Sequence, residues 1–353
     1  MEGIGNVNAS QRKHRVLFVT DRGQRHQAAA LEAAPPELDV IMVRRPSREE
    51  LLRLLPGVEF LISERSGAVD AGMMAVGTRL RLIQRLGSLT YDIDVVAARV
   101  AGVAVSAWPV RPAIMVAEHV LLQMLALARR LKELAAVANE AGDWGLPAQR
   151  TDEDTFAYDW SLRQGIEAVY ESTVGILGFG EIGAELARRV GGLAPARILY
   201  HKRRPLPPGA EEELRISYAS LEQIVPESDF LCNLLPYSAG TDGLINARFL
   251  AGMKPGAFFV SAGSGSVVDE GALAAALRDG HLAGAALDTF EWEPIRPDNP
   301  LLPLARDPQT NVLLTPHVAA GGWKDNAWRT DRRQDYENIL RLLEGRPLLY
   351  RIA

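Results

Sequence analysis

In TVGILGFGEIGAELARRV, residues 173–190, a short apolar run passes through three glycines into an amphipathic one. VGIL is continuous and brief, as in a strand buried on both faces, whereas AELARRV repeats its apolar residues at spacings of three and four, as in a helix. Gly178, Gly180 and Gly183 between them keep the G-x-G-x-x-G spacing. Alone such a triplet is weak, because glycine is common in turns; directly after a strand and opening a helix, it is the turn that binds a dinucleotide pyrophosphate. Gly178 permits the tight turn, Gly180 lets the pyrophosphate approach the backbone, and Gly183 lets helix and strand pack closely. The amides of Glu181 and Ile182, at a helix start that leaves its first N–H groups without intrahelical partners, complete the cradle.

About 20 residues beyond the first glycine, an NAD site carries an acid for the ribose 2′-hydroxyl and an NADP site tends to carry arginine. Here the segment is ILYHKRRP, residues 198–205, with His201, Lys202, Arg203 and Arg204 and no acid. The bland account is a solvated basic turn. A missing acid beside three cations favours a 2′-phosphate, so NADP is the expected cofactor and NAD the alternative.

The alternation of strand and helix extends on both sides. Downstream, ARILYH (196–201), DFLCNLLP (229–236) and NVLLTPHV (311–318) fit strands, with the helical runs LEQIV, ARFLAGM and EGALAAALRDG between them. Upstream, VLFVTD, LDVIMV, VEFLIS, LRLIQRLG and VAVSAW, within 16–108, alternate with REELLRLL and IDVVAARVAG. The pattern predicts an α/β chain of two doubly wound parallel-sheet domains, a flavodoxin-like substrate domain and a Rossmann dinucleotide-binding domain. One long helical pattern over 114–139 carries the chain across, and a last helix over about 331–343 returns it. The expected boundaries are 1–112 with 325–353 for the first domain and 113–324 for the second. The polar, aperiodic 141–165 reads as a long surface excursion.

Length and composition agree: 353 residues with 47% hydrophobic content can fill two cores. A net charge of −5 without long blocks of one sign points to small-molecule partners and to neither nucleic acid nor membrane. A single cysteine, Cys232, and a polar N-terminal stretch without the apolar core of a signal peptide lead us to expect a cytoplasmic protein. The apolar run VLLQMLALA (120–128) is too short to span a bilayer and reads as a buried helix.

His317, in LLTPHVAAGG, follows an apolar strand, where the carboxyl ends of a parallel sheet hold ligands. A lone histidine there is more often structural than catalytic. A second element, AALDTFEWEP, adds Asp288 at a strand end and Glu293 five residues later. A carboxylate beside an imidazole favours its charged form and equips it to donate a proton, so Glu293 and His317 form a candidate acid–base pair. Other chemistries fit poorly. There is no HExxH or paired-cysteine spacing for a metal, and GSGS around Ser264 is not a nucleophile elbow. The loop SAGSGSVVDE (261–270) could be a phosphate cradle, a linker, or a site that lacks a larger side chain. Asp269 and Glu270 would repel a phosphate, which favours the last.

RSG (65–67), RLGSLTYDIDVVAA, VAEH (116–119), TVGILGFGEIG, LLPYSAGTDGLIN, MKPGAFFV, VVDEGAL, GHLAGAALDTFEWEP and TPHVAAG together resemble the D-isomer-specific 2-hydroxyacid dehydrogenase family over nearly the whole chain. The resemblance implies two α/β units with the cofactor in the cleft between them, and a homodimer formed largely through the nucleotide-binding unit. It implies His317 as catalytic histidine, Glu293 as its supporting glutamate, Asp288 near the nicotinamide end of the cofactor, and Pro236 along the cofactor. On the substrate side it points to Arg65, Ser66, Gly67, Leu89 and Arg111. Two departures stand out. Ser264 occupies the place of the arginine that grips the substrate carboxylate, a bidentate charged contact that serine cannot reproduce. Leu89 stands where a glycine is usual. Two functions remain open: an NAD(P)-dependent oxidoreductase on a non-standard substrate, or a dinucleotide-binding sensor or scaffold with weak turnover. A lyase using transient oxidation is a thinner third.

Overall fold

The computed structural model describes residues 13–64, 67–140, 142–321 and 332–353. These form two compact units, one within Met1–Val110 and Gly322–Ala353, the other within Arg111–Gly321. Arg111 and Pro112, expected in the first unit, instead open the helix Arg111–Ala128 and belong to the second. Proline at the second helical position costs nothing, because its missing N–H would have no intrahelical acceptor. The other expected boundary, at 324/325, lies outside the described residues.

The first unit holds five parallel strands, β1 (His14–Thr20), β2 (Leu38–Arg44), β3 (Phe60–Glu64), β4 (Leu82–Leu86) and β5 (Ala104–Trp108), in the order β2-β1-β3-β4-β5. This is the flavodoxin-like order. Strand alternation sorts the apolar side chains into two layers. Leu17, Val19, Leu61, Ile83 and Val105 meet Leu51, Met73 and Ala98 from three short helices, while Val16, Phe18, Phe60 and Leu82 meet Ala30 and the C-terminal Tyr336 and Ile339. Each large side chain so buried contributes about 1.5–3 kcal/mol.

The second unit holds seven parallel strands: β6 (Thr173–Leu177), β7 (Arg197–His201), β8 (Ser217–Tyr218), β9 (Phe230–Asn233), β10 (Phe258–Ser261), β11 (Gly284–Leu287) and β12 (Val312–Leu314). Their order, β12-β11-β10-β9-β6-β7-β8, is the dinucleotide-binding order with one further strand at the β12 edge. The chain steps outward from β6 to β8 and returns on the other side at β9, so the reversal falls between β6 and β9. A parallel sheet puts every strand's carboxyl end on one edge. The turns after β6, β7, β9, β10, β11 and β12 therefore share that edge.

The helical pattern expected to be continuous over 114–139 is two helices, Arg111–Ala128 and Leu131–Glu140. Arg130 breaks it with a left-handed backbone (φ 48°), and its guanidinium turns to Glu133 at 2.5 Å. Arg111–Ala128 is long and apolar enough to cross a membrane by length and composition, yet it buries Val116, Val120 and Met124 and packs on the helix Glu181–Gly191 and on β10 and β11. The excursion at 142–165 carries neither helix nor strand. The returning helix is a 3-10 turn, Arg333–Tyr336, running into Glu337–Leu343.

Candidate active site

Gly178 sits in a left-handed turn (φ 83°), and a Cβ there would lie 2.8 Å from the Leu234 carbonyl. Its N–H donates to His201 O at 3.0 Å, tying the turn to the end of β7. Gly180 caps the helix Glu181–Gly191 with an extended backbone and no side-chain cap, and a Cβ added to it would meet nothing within 4 Å. An open cradle at the start of an 11-residue helix fits a pyrophosphate. Glu181 and Ile182, half-buried, supply the first two helical amides. The expectation for Gly183 needs correcting. Its close neighbour is the Phe179 ring, which would lie 3.0 Å from a Cβ at this position, and the tight helix–strand approach occurs at Gly175, where a Cβ would be 2.1 Å from Ser228 Oγ.

At the end of β7, His201 holds Ala219 O through Nδ1 (2.9 Å); after it, Lys202 is half-buried, and Arg203 and Arg204 are exposed. Pro236 is exposed in the turn after β9, its carbonyl accepting from Thr241 Oγ1 at 2.8 Å.

At the ends of β11 and β12 the structure brings Asp288, Glu293 and His317 together. His317, itself left-handed (φ 51°), has Nδ1 2.7 Å from Glu293 Oε2, while Glu293 Oε1 accepts from Phe290 N at 3.1 Å. The Glu293 side chain is thereby fixed from both ends, and the imidazole is half-exposed. Asp288 is almost fully buried, and its carboxylate is taken up by the turn that carries His317. Oδ1 accepts from Thr315 Oγ1 (2.6 Å) and Val318 N (3.0 Å), and Oδ2 from Ala319 N (2.8 Å). Thr315 Oγ1 also lies 3.0 Å from His119 Nε2 and accepts from Gln123 Nε2 at 3.3 Å. His119 and Gln123 were missed from the sequence. The available signal was two polar residues four apart, hence on one face, in a mostly apolar helix.

Ser264 follows β10 and is half-buried, with its N–H on Leu235 O (2.8 Å) and its Oγ 3.3 Å from Ser266 Oγ. Asp269 caps the helix Glu270–Arg278, and Glu270 receives Glu291 N (3.0 Å) and Asn299 Nδ2 (2.5 Å). The acids of VVDE are thus occupied in building the fold. Of the residues expected to face the substrate, Leu89 is half-buried in a loop braced by the Arg85–Asp92 ion pair, and Gly67 lines a cavity in the first unit. Arg111 is exposed at its helix start. Arg65 and Ser66 lie outside the described residues.

A dinucleotide turn on a Rossmann sheet, with a carboxylate-held histidine on the same edge, defines an NAD(P)-dependent oxidoreductase acting on CH–OH or C=O groups. Residues 121–319 match the family described as D-isomer specific 2-hydroxyacid dehydrogenase, NAD binding domain. The chain belongs to the D-isomer specific 2-hydroxyacid dehydrogenase family. It is 37% identical over 275 residues, 78% of either chain, to the glyoxylate/hydroxypyruvate reductase B of Yersinia pestis (strain Pestoides F). Among solved structures it is similar to the TT0316 protein from Thermus thermophilus, at 30% identity and a TM-score of 0.50 over 96% of this chain and 100% of that one. The PH0520 protein from Pyrococcus horikoshii matches at 25% identity and a TM-score of 0.55, over 96% and 95%.

Proposed function

We propose that the chain is an NADP(H)-preferring oxidoreductase in which His317 exchanges a proton with the oxygen of a carbonyl or alcohol and Glu293 holds the imidazole. The contact that carries this is the 2.7 Å pair between His317 Nδ1 and Glu293 Oε2. With Nδ1 so engaged, Nε2 is the nitrogen left for the substrate oxygen. A bound nicotinamide would accept or supply the hydride. Asp288 acts through the turn it clamps, as a positioning residue for His317. Lys202, Arg203 and Arg204 support a 2′-phosphate. The resemblance further supports a homodimer, and the composition a cytoplasmic, small-molecule enzyme.

The substrate we propose lacks the usual 2-oxo carboxylate, or has it held by another cation such as Arg65 or Arg111. Losing a preorganised donor costs about 3–4 kcal/mol in the transition state, or ~10²–10³ in rate. A neutral serine bond returns only about 1 kcal/mol. The competing view comes from the similar glyoxylate/hydroxypyruvate reductase, whose named substrates are small 2-oxo acids. Steady-state kinetics of the wild type and of Ser264→Arg, on 2-oxo acids and on carboxylate-free aldehydes and ketones with NADPH and NADH, distinguish the two. We expect NADPH to be preferred, carboxylate-free carbonyls to be the better substrates, and Ser264→Arg to gain little on 2-oxo acids. Efficient wild-type reduction of glyoxylate or hydroxypyruvate, or a gain of ~10²–10³ on 2-oxo acids in Ser264→Arg, would defeat the proposal.

A further inference from the structure

The helix Arg111–Ala128 packs on β10, β11 and β12 of its own unit through an apolar stripe in which Val116, Val120 and Met124 are buried. His119 and Gln123, each three residues on from a valine of that stripe, interrupt it. A leucine at either place would pack without a polar group to satisfy. Gln123 Oε1 is in fact buried with no hydrogen-bond partner among the described residues, and an unpaired buried carbonyl costs stability. Packing alone therefore accounts poorly for the pair. Both residues reach one group, the Thr315 hydroxyl at the end of β12.

A hydroxyl has one proton to give and two lone pairs to fill. Thr315 Oγ1 lies 2.6 Å from Asp288 Oδ1, the length of a hydrogen bond to a carboxylate, so its proton goes there. The lone pairs are left for two N–H groups, His119 Nε2 at 3.0 Å and Gln123 Nε2 at 3.3 Å. That count puts the His119 proton on Nε2. His119 is 3.5 Å from Asp288 Oδ1 itself, long for a direct bond, and the hydroxyl is the shorter route. Beyond Asp288 the route continues through backbone, because the carboxylate takes the Val318 and Ala319 amides that follow His317. A non-glycine residue in the left-handed region, as His317 is (φ 51°), stays there only when its surroundings over-determine it. Those two amide bonds do so, together with the His317 N–H, which donates to Thr315 O at 2.9 Å. Thr315 thus stands on both paths to the histidine.

We infer that His119 is a positioning residue for the reaction: its Nε2–H, through the Thr315 hydroxyl, holds Asp288 in the orientation that grips the Val318 and Ala319 amides and so keeps His317 in its left-handed turn. Gln123 supplies the second donor to the same hydroxyl. The effect on turnover rests on the reading of His317 as the proton-transfer residue; the hold on the turn does not.

Hydrogen exchange of the peptide spanning 315–321, in the full-length protein without ligand, reads that hold directly. His119→Leu, which has no donor, should raise exchange at Val318 and Ala319 at least about tenfold. His119→Gln, whose Nε2 stands as many bonds from Cβ as that of the imidazole, should recover most of the protection, and His119→Asn, a bond shorter, should not. With NADPH and whichever of glyoxylate and propanal the wild type reduces, His119→Leu should lower kcat by about 10–10², while KM and the NADPH dissociation constant move by no more than about twofold. Thr315→Val should lose at least as much, and adding His119→Leu to it should lose no more, because both act through one hydroxyl. Wild-type exchange in His119→Leu, equal loosening in His119→Gln and His119→Asn, or losses that add in the double variant would each overturn the assignment. If His119→Leu does not fold, His119→Asn against His119→Gln makes the same comparison. A fully active His317→Ala would instead defeat the proton-transfer reading and leave the exchange results standing, so the two failures are told apart.

Discussion

Gly263 and Gly265 leave no room for a side chain: a Cβ at Gly263 would lie 2.7 Å from Leu235 O, and one at Gly265 would lie 1.9 Å from Phe290 O. The glycines of the loop after β10 are wedged between the β9 turn and the segment that leads to Glu293. Ser264, half-buried between them, is where the chain departs from the resemblance, which makes it one informative position. His317 is the other. If its imidazole transfers the proton, His317→Ala should lower kcat by about 10²–10⁴ while the dissociation constant for NADPH, measured by fluorescence titration, stays put. Glu293→Gln keeps the shape of the contact but weakens the hold on Nδ1, so kcat should fall less and KM little, with activity partly restored in Glu293→Asp. Full activity in His317→Ala would remove the histidine from the chemistry.

At the scale of elements, Glu270 links the helix that follows the serine loop to the segment bearing Glu293, through Glu291 N and Asn299 Nδ2. Burial pushes its carboxyl above the ordinary range, against the opposing pull of those two hydrogen bonds. A raised carboxyl stabilises the fold fully below its unfolded value and loses that contribution as pH rises through the folded one. Glu270→Gln, neutral at all pH, should thus be close to wild type or better at neutral pH, whereas Glu270→Ala leaves the Glu291 amide and Asn299 unpaired and should cost about 1–3 kcal/mol. Urea melts of both variants check this, and equal loss in the two would refute it. None of this was legible in VVDE, where the acids looked like a repulsive rim. The strands and glycine turn were legible because periodicity and spacing are local. So was the candidate pairing of His317 with Glu293, from a histidine and a carboxylate placed after two apolar strands. The break at Arg130, the Asp288 clamp and the His119–Thr315 contact were not, because each depends on which distant backbone a side chain meets: His119 and Thr315 are 196 residues apart.

For the molecule as a whole, the consequence of the chain path is that the first unit is assembled from two pieces, with the entire second unit inserted between them. Its stability depends on how the returning segment fastens to the sheet. Tyr336 packs in the core with its hydroxyl on Ala30 O (2.6 Å), and Gln84 donates to Asp335 O at 3.1 Å. The charged fastening is Arg332, which reaches both Asp335 (2.5 Å) and Glu64 at the end of β3 (3.2 Å). Glu64 also accepts from Thr20 Oγ1 (2.8 Å) and Arg22 (3.3 Å). Burial works to raise the Glu64 carboxyl, but Arg332, the Thr20 hydroxyl and Arg22 outweigh it and hold it below the ordinary range. A depressed carboxyl contributes stability above its unfolded value, near about 4.3, and loses it as pH falls through the folded value. Glu64→Gln removes that contribution and leaves Arg332 with Asp335 alone, for which a cost of about 3 kcal/mol is expected, the lower end for breaking a buried pair. Urea midpoints of β1 and β3 peptides, read by hydrogen exchange so that the first unit is followed separately, should show the gap between variant and wild type constant at neutral pH. Below the ordinary carboxylate range the gap should narrow, because the wild type then loses the charge that the variant never had. Equal midpoints at pH 7, or a gap that persists into strong acid, would mean that the two pieces are joined by their apolar contacts and not by this ion pair.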